Sequence, residues 1–152
     1  EVNIEKFADK ASLHIGKLSE HPGRKIRLRV EPGKYIVSRS TSLIVKVTHI
    51  KEKSGNLFLG VDSGFNHLVR PAMYGAYHHV VNLSAVYRGE TEKLPAKVAG
   101  YICETGDIFS ELGISRPRKG DYLAILSAGA YGSSMSGYYN DEGDRGGTYA
   151  QR

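Results

Sequence analysis

At residue 35 the chain passes from a helix–strand lead-in to a sustained hydrophobic period of 2, and that switch decides what it can fold into. Before it, Ile4, Phe7, Ala8, Ala11, Ile15 and Leu18 recur at helical spacing. They form one apolar stripe on a helix over residues 3–18, with Asn3 as its N-cap and His21-Pro22-Gly23 as its stop. A strand is expected next, with Ile26, Leu28 and Val30 alternating against Lys25, Arg27 and Arg29 and running into Glu31-Pro32-Gly33-Lys34. Beyond Tyr35, Leu43, Val45 and Val47 alternate with Ile44, Lys46 and Thr48, and Lys53-Ser54-Gly55-Asn56 predicts a hairpin turn into Leu57–Val61. Further strands are expected at 76–83, 96–102 and 121–126, with loops at Gly89–Glu92, Gly113 and Pro117–Gly120. A short helix is expected over 130–136, and the polar residues 141–152 read as a frayed tail. The fold class is therefore mainly β: a helix–strand lead-in over 1–34, then a β-domain of about six strands over 35–140.

Composition narrows the function classes. At 152 residues the chain has the size of one domain, able to bury roughly 70% of its unfolded surface without a disulfide or a metal. Charged residues at 24% and hydrophobic ones at 40% exclude a disordered tail. No stretch approaches the roughly 18 apolar residues of a spanning helix, so no membrane partner is expected. The opening Glu-Val-Asn-Ile-Glu-Lys does not read as a signal peptide. One cysteine rules out an intrachain disulfide or a CxxC zinc site and points to a reducing compartment. The charge balance, 21 − 16 = +5, suits anions. The basic segments at 24–29 and 116–119 carry no interleaved aromatics, so no nucleic acid is expected.

Four segments combine permissive backbone with reactive side chains. Glu31-Pro32-Gly33-Lys34 reads either as a plain turn or as an anion cradle, its glycine letting N–H groups approach while Lys34 adds charge. The run from Asp62 to His78 places Arg70 four residues before Tyr74, a spacing suited to gripping a carboxylate. His67, His78 and His79 in that run match no zinc spacing. Gly100-Tyr101-Ile102-Cys103-Glu104-Thr105-Gly106-Asp107 puts the only cysteine at a strand end beside a carboxylate. There a thiol reads as a small buried apolar group or as a proton donor. In Ser127–Ser136, small residues flank Tyr131 and admit either a bound phosphate or a close packing contact.

In this order and spacing, these segments strongly resemble the diaminopimelate decarboxylase family. The likeness runs through Glu-Pro-Gly-Lys, Asp-Ser-Gly-Phe-Asn-His-Leu-Val-Arg-Pro-Ala-Met-Tyr-Gly-Ala-Tyr-His, Cys-Glu-Thr-Gly-Asp, Gly-Asp near 120 and Ala-Gly-Ala-Tyr-Gly-Ser-Ser-Met-Ser, over roughly residues 24–140. The family belongs to the alanine-racemase-like enzymes that use pyridoxal phosphate. The resemblance implies a (β/α)8 barrel carrying the cofactor's lysine, followed by a Greek-key-like β-domain. The present residues correspond to the last helix and strand of that barrel and the β-domain, so the chain alone is expected to be inactive.

Site roles follow from the same resemblance. Glu31, Gly33, Lys34 and Tyr131 are expected at the cofactor, with Gly33 and the backbone of Lys34 cradling its phosphate and Tyr131 adding its hydroxyl. Lys34, Arg70, Tyr74, Glu104 and Tyr131 are expected at the substrate, Arg70 and Tyr74 on its distal carboxylate and Glu104 on its distal amino group. Cys103 is expected to be the acid that protonates the α-carbon once carbon dioxide has left. No metal is expected. The partners implied are a small amino-acid substrate, the barrel, and a second copy of the chain, each copy completing the other's site; the setting implied is cytoplasmic lysine biosynthesis. Two departures stand out: lysine at 34 where the family usually has arginine, and, after Asn140, no arginine–proline segment or final apolar strand. A decarboxylase of another amino acid and a non-catalytic β-barrel interaction module are the alternatives.

Overall fold

The computed structural model of the chain describes residues 3–20, 26–142 and 148–151, the last four as backbone. They fall into two units, Glu1–Tyr35 and Ile36–Arg152.

In the first unit, helix α1 (Ile4–Ser19) begins at Asn3, whose side-chain oxygen accepts the Lys6 N–H at 2.8 Å. Glu5 in its first turn and Lys17 in its last oppose the helix dipole favourably. None of its described residues is buried, and Ile4 and Phe7 are each 48% exposed. The strand expected over Ile26–Val30 does not form, and Leu28 and Val30 are half exposed. Alternation alone does not make a strand; a neighbouring edge must take its backbone hydrogen bonds, and the described residues of this unit hold no second strand. A short helix, α2 (Lys34–Val37), and a 3-10 turn at Ser38–Ser40 lead onward.

The second unit is built on one sheet: β1 (Thr41–Lys53), β2 (Asn56–Val61), β3 (Val80–Asn82), β4 (Lys93–Ala99), β5 (Ile108–Ser115), β6 (Tyr122–Ile125) and β7 (Thr148–Gln151). Its order is β3-β6-β1-β2-β4-β5, with β7 also beside β1. Two short helices, α3 (Arg70–Tyr74) and α4 (Leu83–Tyr87), lie between β2 and β4. β1 serves both halves, pairing with β6 and β7 near its start and with β2 beyond Val47. The register steps from Val47↔Val61 to His49↔Gly60, a bulge at Thr48 that turns the strand from one half into the other. The sheet curls until its edges nearly meet: Asn82 at the end of β3 donates its Nδ2 hydrogen to the Ser115 carbonyl at the end of β5, at 3.2 Å. Inside lie Leu43, Val45, Leu59, Val98, Leu123 and Ile125, each contributing about 1.5–3 kcal/mol by burial.

The structure corrects several boundaries. The strand expected at 76–83 is only Val80–Asn82, because the Asn82 side chain accepts the Ala85 N–H at 3.0 Å and starts α4. The strand expected at 96–102 runs from Lys93 to Ala99. Gly113, expected in a loop, lies within β5, which the alternation rule missed. There the register passes from Val98↔Ser110 to Ala99↔Ile108, so Phe109 is an extra residue and Phe109 and Ser110 are both buried. The helix expected over 130–136 is a 3-10 turn at Ser133–Met135. Within the tail expected to fray, Thr148–Gln151 pairs with Thr41–Ile44, so the sheet gains a last strand. Residues 143–147 and 152 of that tail lie outside the described residues.

Strand direction places the loops. β2 and β6 run antiparallel to β1, and β4 runs parallel to β2. All three therefore point the same way, while β3 and β5 run against them. The segments after β2, β4 and β6, and those before β3 and β5, emerge toward one end of the sheet.

Candidate functional site

Three of the four singled-out segments leave the sheet at that end. After β2 the chain enters α3, with Pro71 in its first turn and Gly75 closing it at φ 58°, a left-handed cap that glycine adopts without strain. Arg70 and Tyr74 are one helical turn apart and therefore share a face. Tyr74 is exposed and Arg70 partly so. The return to β3 is pinned at His78, which is 2% exposed and bonds through Nδ1 to the Leu126 carbonyl at 2.9 Å. Since that carbonyl only accepts, Nδ1 carries the proton. Burial first, and the nearby Arg70 charge as well, push the His78 pKa below 6.5 although the carbonyl bond works against them. The other two histidines of the run also have structural partners: His67 Nδ1 lies 2.9 Å from Ser63 Oγ, and His79 Nδ1 lies 2.8 Å from the Tyr77 hydroxyl.

After β4 comes the loop of Cys103 and Glu104, both exposed, so the reading of Cys103 as a buried apolar group does not hold. The Glu104 carboxylate accepts the Tyr139 hydroxyl at 2.9 Å, and that bond, then the Glu104 charge, raise the Tyr139 pKa above 10. The Tyr139 ring meets Phe65 edge-on, 4.7 Å between centroids. α3 and this loop border one cavity of about 420 Å³, lined by Pro71, Ala76 and Tyr77 on one side and Gly106 and Phe109 on the other. Among the described residues no hydrogen bond or ion pair joins Arg70 or Tyr74 to Glu104.

After β6, Ala128 and Gly129 donate their N–H groups to the carbonyls of Thr41 and Ser38 at 2.9 and 3.0 Å. A Cβ on Gly129 would stand 2.1 Å from the Val37 carbonyl oxygen. Close packing thus accounts for the small residues here. It does not account for Tyr131, which is 49% exposed and held at φ 60°, with Ser127 at φ 61°. Two non-glycine residues in the left-handed region store strain that the packing around Gly129 maintains.

The remaining segment belongs to the first unit. The Tyr35 N–H closes a turn on the Pro32 carbonyl at 3.0 Å, Gly33 sits at φ 41°, and Glu31 and Lys34 are exposed. Asp107 lies in one of the singled-out segments without an expected role, and Tyr139 lies in none of them. Their contacts, to Phe65, Ile102 and Glu104, depend on segments that only the fold brings together. Among the described residues no helix is long and apolar enough to cross a membrane.

Residues 34–129 match the family model of the pyridoxal-dependent decarboxylase C-terminal sheet domain. A diaminopimelate decarboxylase of Methanothermobacter thermautotrophicus is 44% identical over 141 residues, covering 91% of this chain and 32% of the relative. The diaminopimelate decarboxylase of Escherichia coli K12 is 39% identical over 134 residues, covering 82% of this chain and 32% of its own length. A crystal structure of a diaminopimelate decarboxylase superposes with a TM-score of 0.75 at 36% identity, covering 91% of this chain and 35% of that one. The Helicobacter pylori enzyme complexed with L-lysine gives 0.67 at 35% identity, over 82% and 30%. The chain thus spans about a third of the length of its relatives. With most of its length matched, and with its sheet, its bulged long strand and its loop placement in hand, the chain belongs to the pyridoxal-dependent decarboxylase family, as its C-terminal sheet domain.

Proposed function

We propose that this chain is the sheet domain of a diaminopimelate decarboxylase, working with a (β/α)8 barrel domain and completing its site across a homodimer. The observation that carries the reading is the pair on one face of α3, the partly exposed Arg70 and the exposed Tyr74, with Cys103 and Glu104 exposed at the same end of the sheet. A guanidinium fork and a phenol suit a carboxylate distant from the reacting carbon, and Glu104 suits the distal ammonium. Together they select a substrate with charges at both ends, meso-diaminopimelate.

Each unit offers groups suited to the phosphate of pyridoxal phosphate: the first the turn at Gly33 and Lys34 beside Glu31, the second the hydroxyl of the half-exposed Tyr131. When bound, that cofactor supplies an electron sink for the α-carbon. The remaining chemistry falls to the protein. Arg70 and Tyr74 orient the substrate so that the bond to its α-carboxylate breaks and the electron pair stays on the α-carbon. Cys103 delivers a proton from its thiol to that carbon, and solvent returns one to the sulfur, giving L-lysine and carbon dioxide. A thiol that must remain free suits the cytoplasm. Lys34 keeps the positive charge of the family's usual arginine without its planar fork, leaving more of the carboxylate grip to Arg70.

The test is carbon dioxide release from meso-diaminopimelate by this chain combined with a separately made barrel domain and pyridoxal phosphate. Release is expected only in the combination. Cys103→Ala is expected to lower kcat by about 10²–10⁴-fold, the usual weight of a positioned acid. Faster release from ornithine or lysine than from diaminopimelate would refute the substrate assignment.

A further inference from the structure

The loop that carries Cys103 and Glu104 is closed by its own backbone. The Gly100 N–H donates to the Asp107 carbonyl at 2.9 Å, Asp107 N–H to Glu104 at 3.1 Å, and Glu104 N–H to Ile102 at 2.8 Å. The Asp107 side chain is therefore surplus to the turn, yet it is 2% exposed and spans two segments. Its Oδ2 accepts the Ile102 N–H and its Oδ1 the Phe65 N–H, both at 2.7 Å. Two glycines leave room for it. A Cβ on Gly100 would stand 2.2 Å from Oδ2, and one on Gly64 would stand 3.1 Å from it and 2.6 Å from Ile102 Cγ1. Burial works against the carboxylate, and the two amide bonds offset this only in part, so its pKa stands above 3.8. An arrangement that buries an ionisable group where a backbone turn already suffices calls for a role outside the turn.

We propose that Asp107 is a positioning residue for catalysis: its carboxylate fixes the Cys103–Glu104 loop against the Asp62–His67 segment, and so sets where the thiol and the Glu104 carboxylate stand. This rests on the roles assigned to Cys103 and Glu104 under Proposed function. Asp107 bonds the backbone of the residue immediately before Cys103. The segment on its other side holds Phe65, whose ring backs Tyr139, the partner of Glu104. A second tie runs alongside, from the Tyr101 N–H to the Ser63 carbonyl at 3.1 Å.

The test is made in the decarboxylase assembled from this chain and its barrel domain, with Asp107→Asn. The amide keeps one acceptor but turns an NH2 toward the second backbone N–H, so one of the two bonds is lost at nearly constant volume. The expected result is a fall in kcat of about tenfold or more, with KM for diaminopimelate raised by a smaller factor, because the proton donor and the Glu104 contact shift while the Arg70 grip stays. Val45→Ala, in the core on β1, which pairs with neither β4 nor β5, serves as a control: chosen to lose comparable thermal stability, it should keep its kcat. A kcat for Asp107→Asn within twofold of the parent, or an equal loss in Val45→Ala, overturns the proposal. Cys103→Ala run in parallel separates the two layers: if it is inactive while Asp107→Asn is not, only the positioning role falls, and if it is active, the underlying reading falls. Should Asp107→Asn not fold, hydrogen exchange in the parent decides, with the Phe65 and Ile102 amides protected by about a hundredfold or more if the carboxylate holds them. Exchange of either amide at the rate of an open loop overturns the assignment.

Discussion

A charge network lies at the end of the sheet opposite the candidate site, and its contribution can be calculated and removed. Asp121, 5% exposed, accepts from both terminal Arg88 guanidinium nitrogens, Nη1 to Oδ1 at 2.7 Å and Nη2 to Oδ2 at 2.9 Å. Oδ2 also accepts Asn82 Nδ2 and the Arg118 N–H, each at 2.9 Å. Glu90 holds Arg88 from the far side, with Nε to Oε2 at 3.1 Å, and pairs with Arg118. Burial alone would raise the Asp121 pKa, but the Arg88, Asn82 and Arg118 bonds outweigh it and hold the carboxyl at about 2, against an ordinary 3.8. A depressed carboxylate stabilises the fold fully above its unfolded pKa and loses that effect as pH falls through its folded one. The displacement from 3.8 to about 2 is worth about 2 kcal/mol, present at pH 5 and above and nearly gone by pH 2. Urea unfolding of the chain and of Asp121→Asn, followed by circular dichroism in steps from pH 7 to pH 2, measures it. The parent should lose about 2 kcal/mol more than the variant over that descent, with about half the difference gone by pH 3. Equal acid losses in the two proteins would refute the reasoning, because the remaining carboxylates would then account for the whole pH dependence.

Two further outcomes follow from the geometry of the site end. Gly129→Ala places a methyl carbon 2.1 Å from the Val37 carbonyl oxygen, where only backbone movement can relieve it; chemical denaturation should show a loss of about 1–3 kcal/mol or more. Arg70→Lys keeps the charge but replaces the fork with a point donor, so steady-state kinetics of the assembled decarboxylase should show KM for diaminopimelate raised by about tenfold, with kcat less affected.

What the sequence made legible depended on whether one local rule governed the residue. The inward set Leu43, Val45 and Val47 was readable because β1 has one face in the core, and the Ser54-Gly55 turn because glycine adopts the φ of 75° needed at Gly55 without strain. β5 was not readable, because the extra residue at Phe109 puts two successive side chains inside. Nor was β7: its pairing uses backbone groups along β1, and Thr148–Gln151 carries no apolar alternation. The same division holds at the site. Arg70 and Tyr74, four apart, and the adjacent Cys103 and Glu104 declare themselves locally. Asp107 has a partner at Phe65 and Tyr139 has one at Glu104, separations across which no spacing rule operates.

The placement of the candidate residues follows from one topological choice, the parallel pairing of β2 with β4. Antiparallel neighbours can be joined by a tight turn, as β1 and β2 are at Ser54-Gly55, but parallel ones require a crossover that returns the chain to the starting end. Here that crossover is residues 62–92, and it holds α3 with Arg70 and Tyr74, the buried His78, β3, and Arg88 and Glu90 of the charge network. Because β2 and β4 point the same way, the loops that leave them are neighbours, and Asp107 can reach Phe65 across the gap. The crossover must then run to the far end before β4 begins, which is where Asn82, Arg88 and Asp121 join the sheet edges. The groups proposed to donate the proton and grip the substrate thus collect at one end and the closing contacts at the other. The arrangement makes the two separable: Asp121→Asn should lower stability while leaving kcat/KM of the folded, assembled decarboxylase within about twofold, since sites this far apart without shared partners act additively.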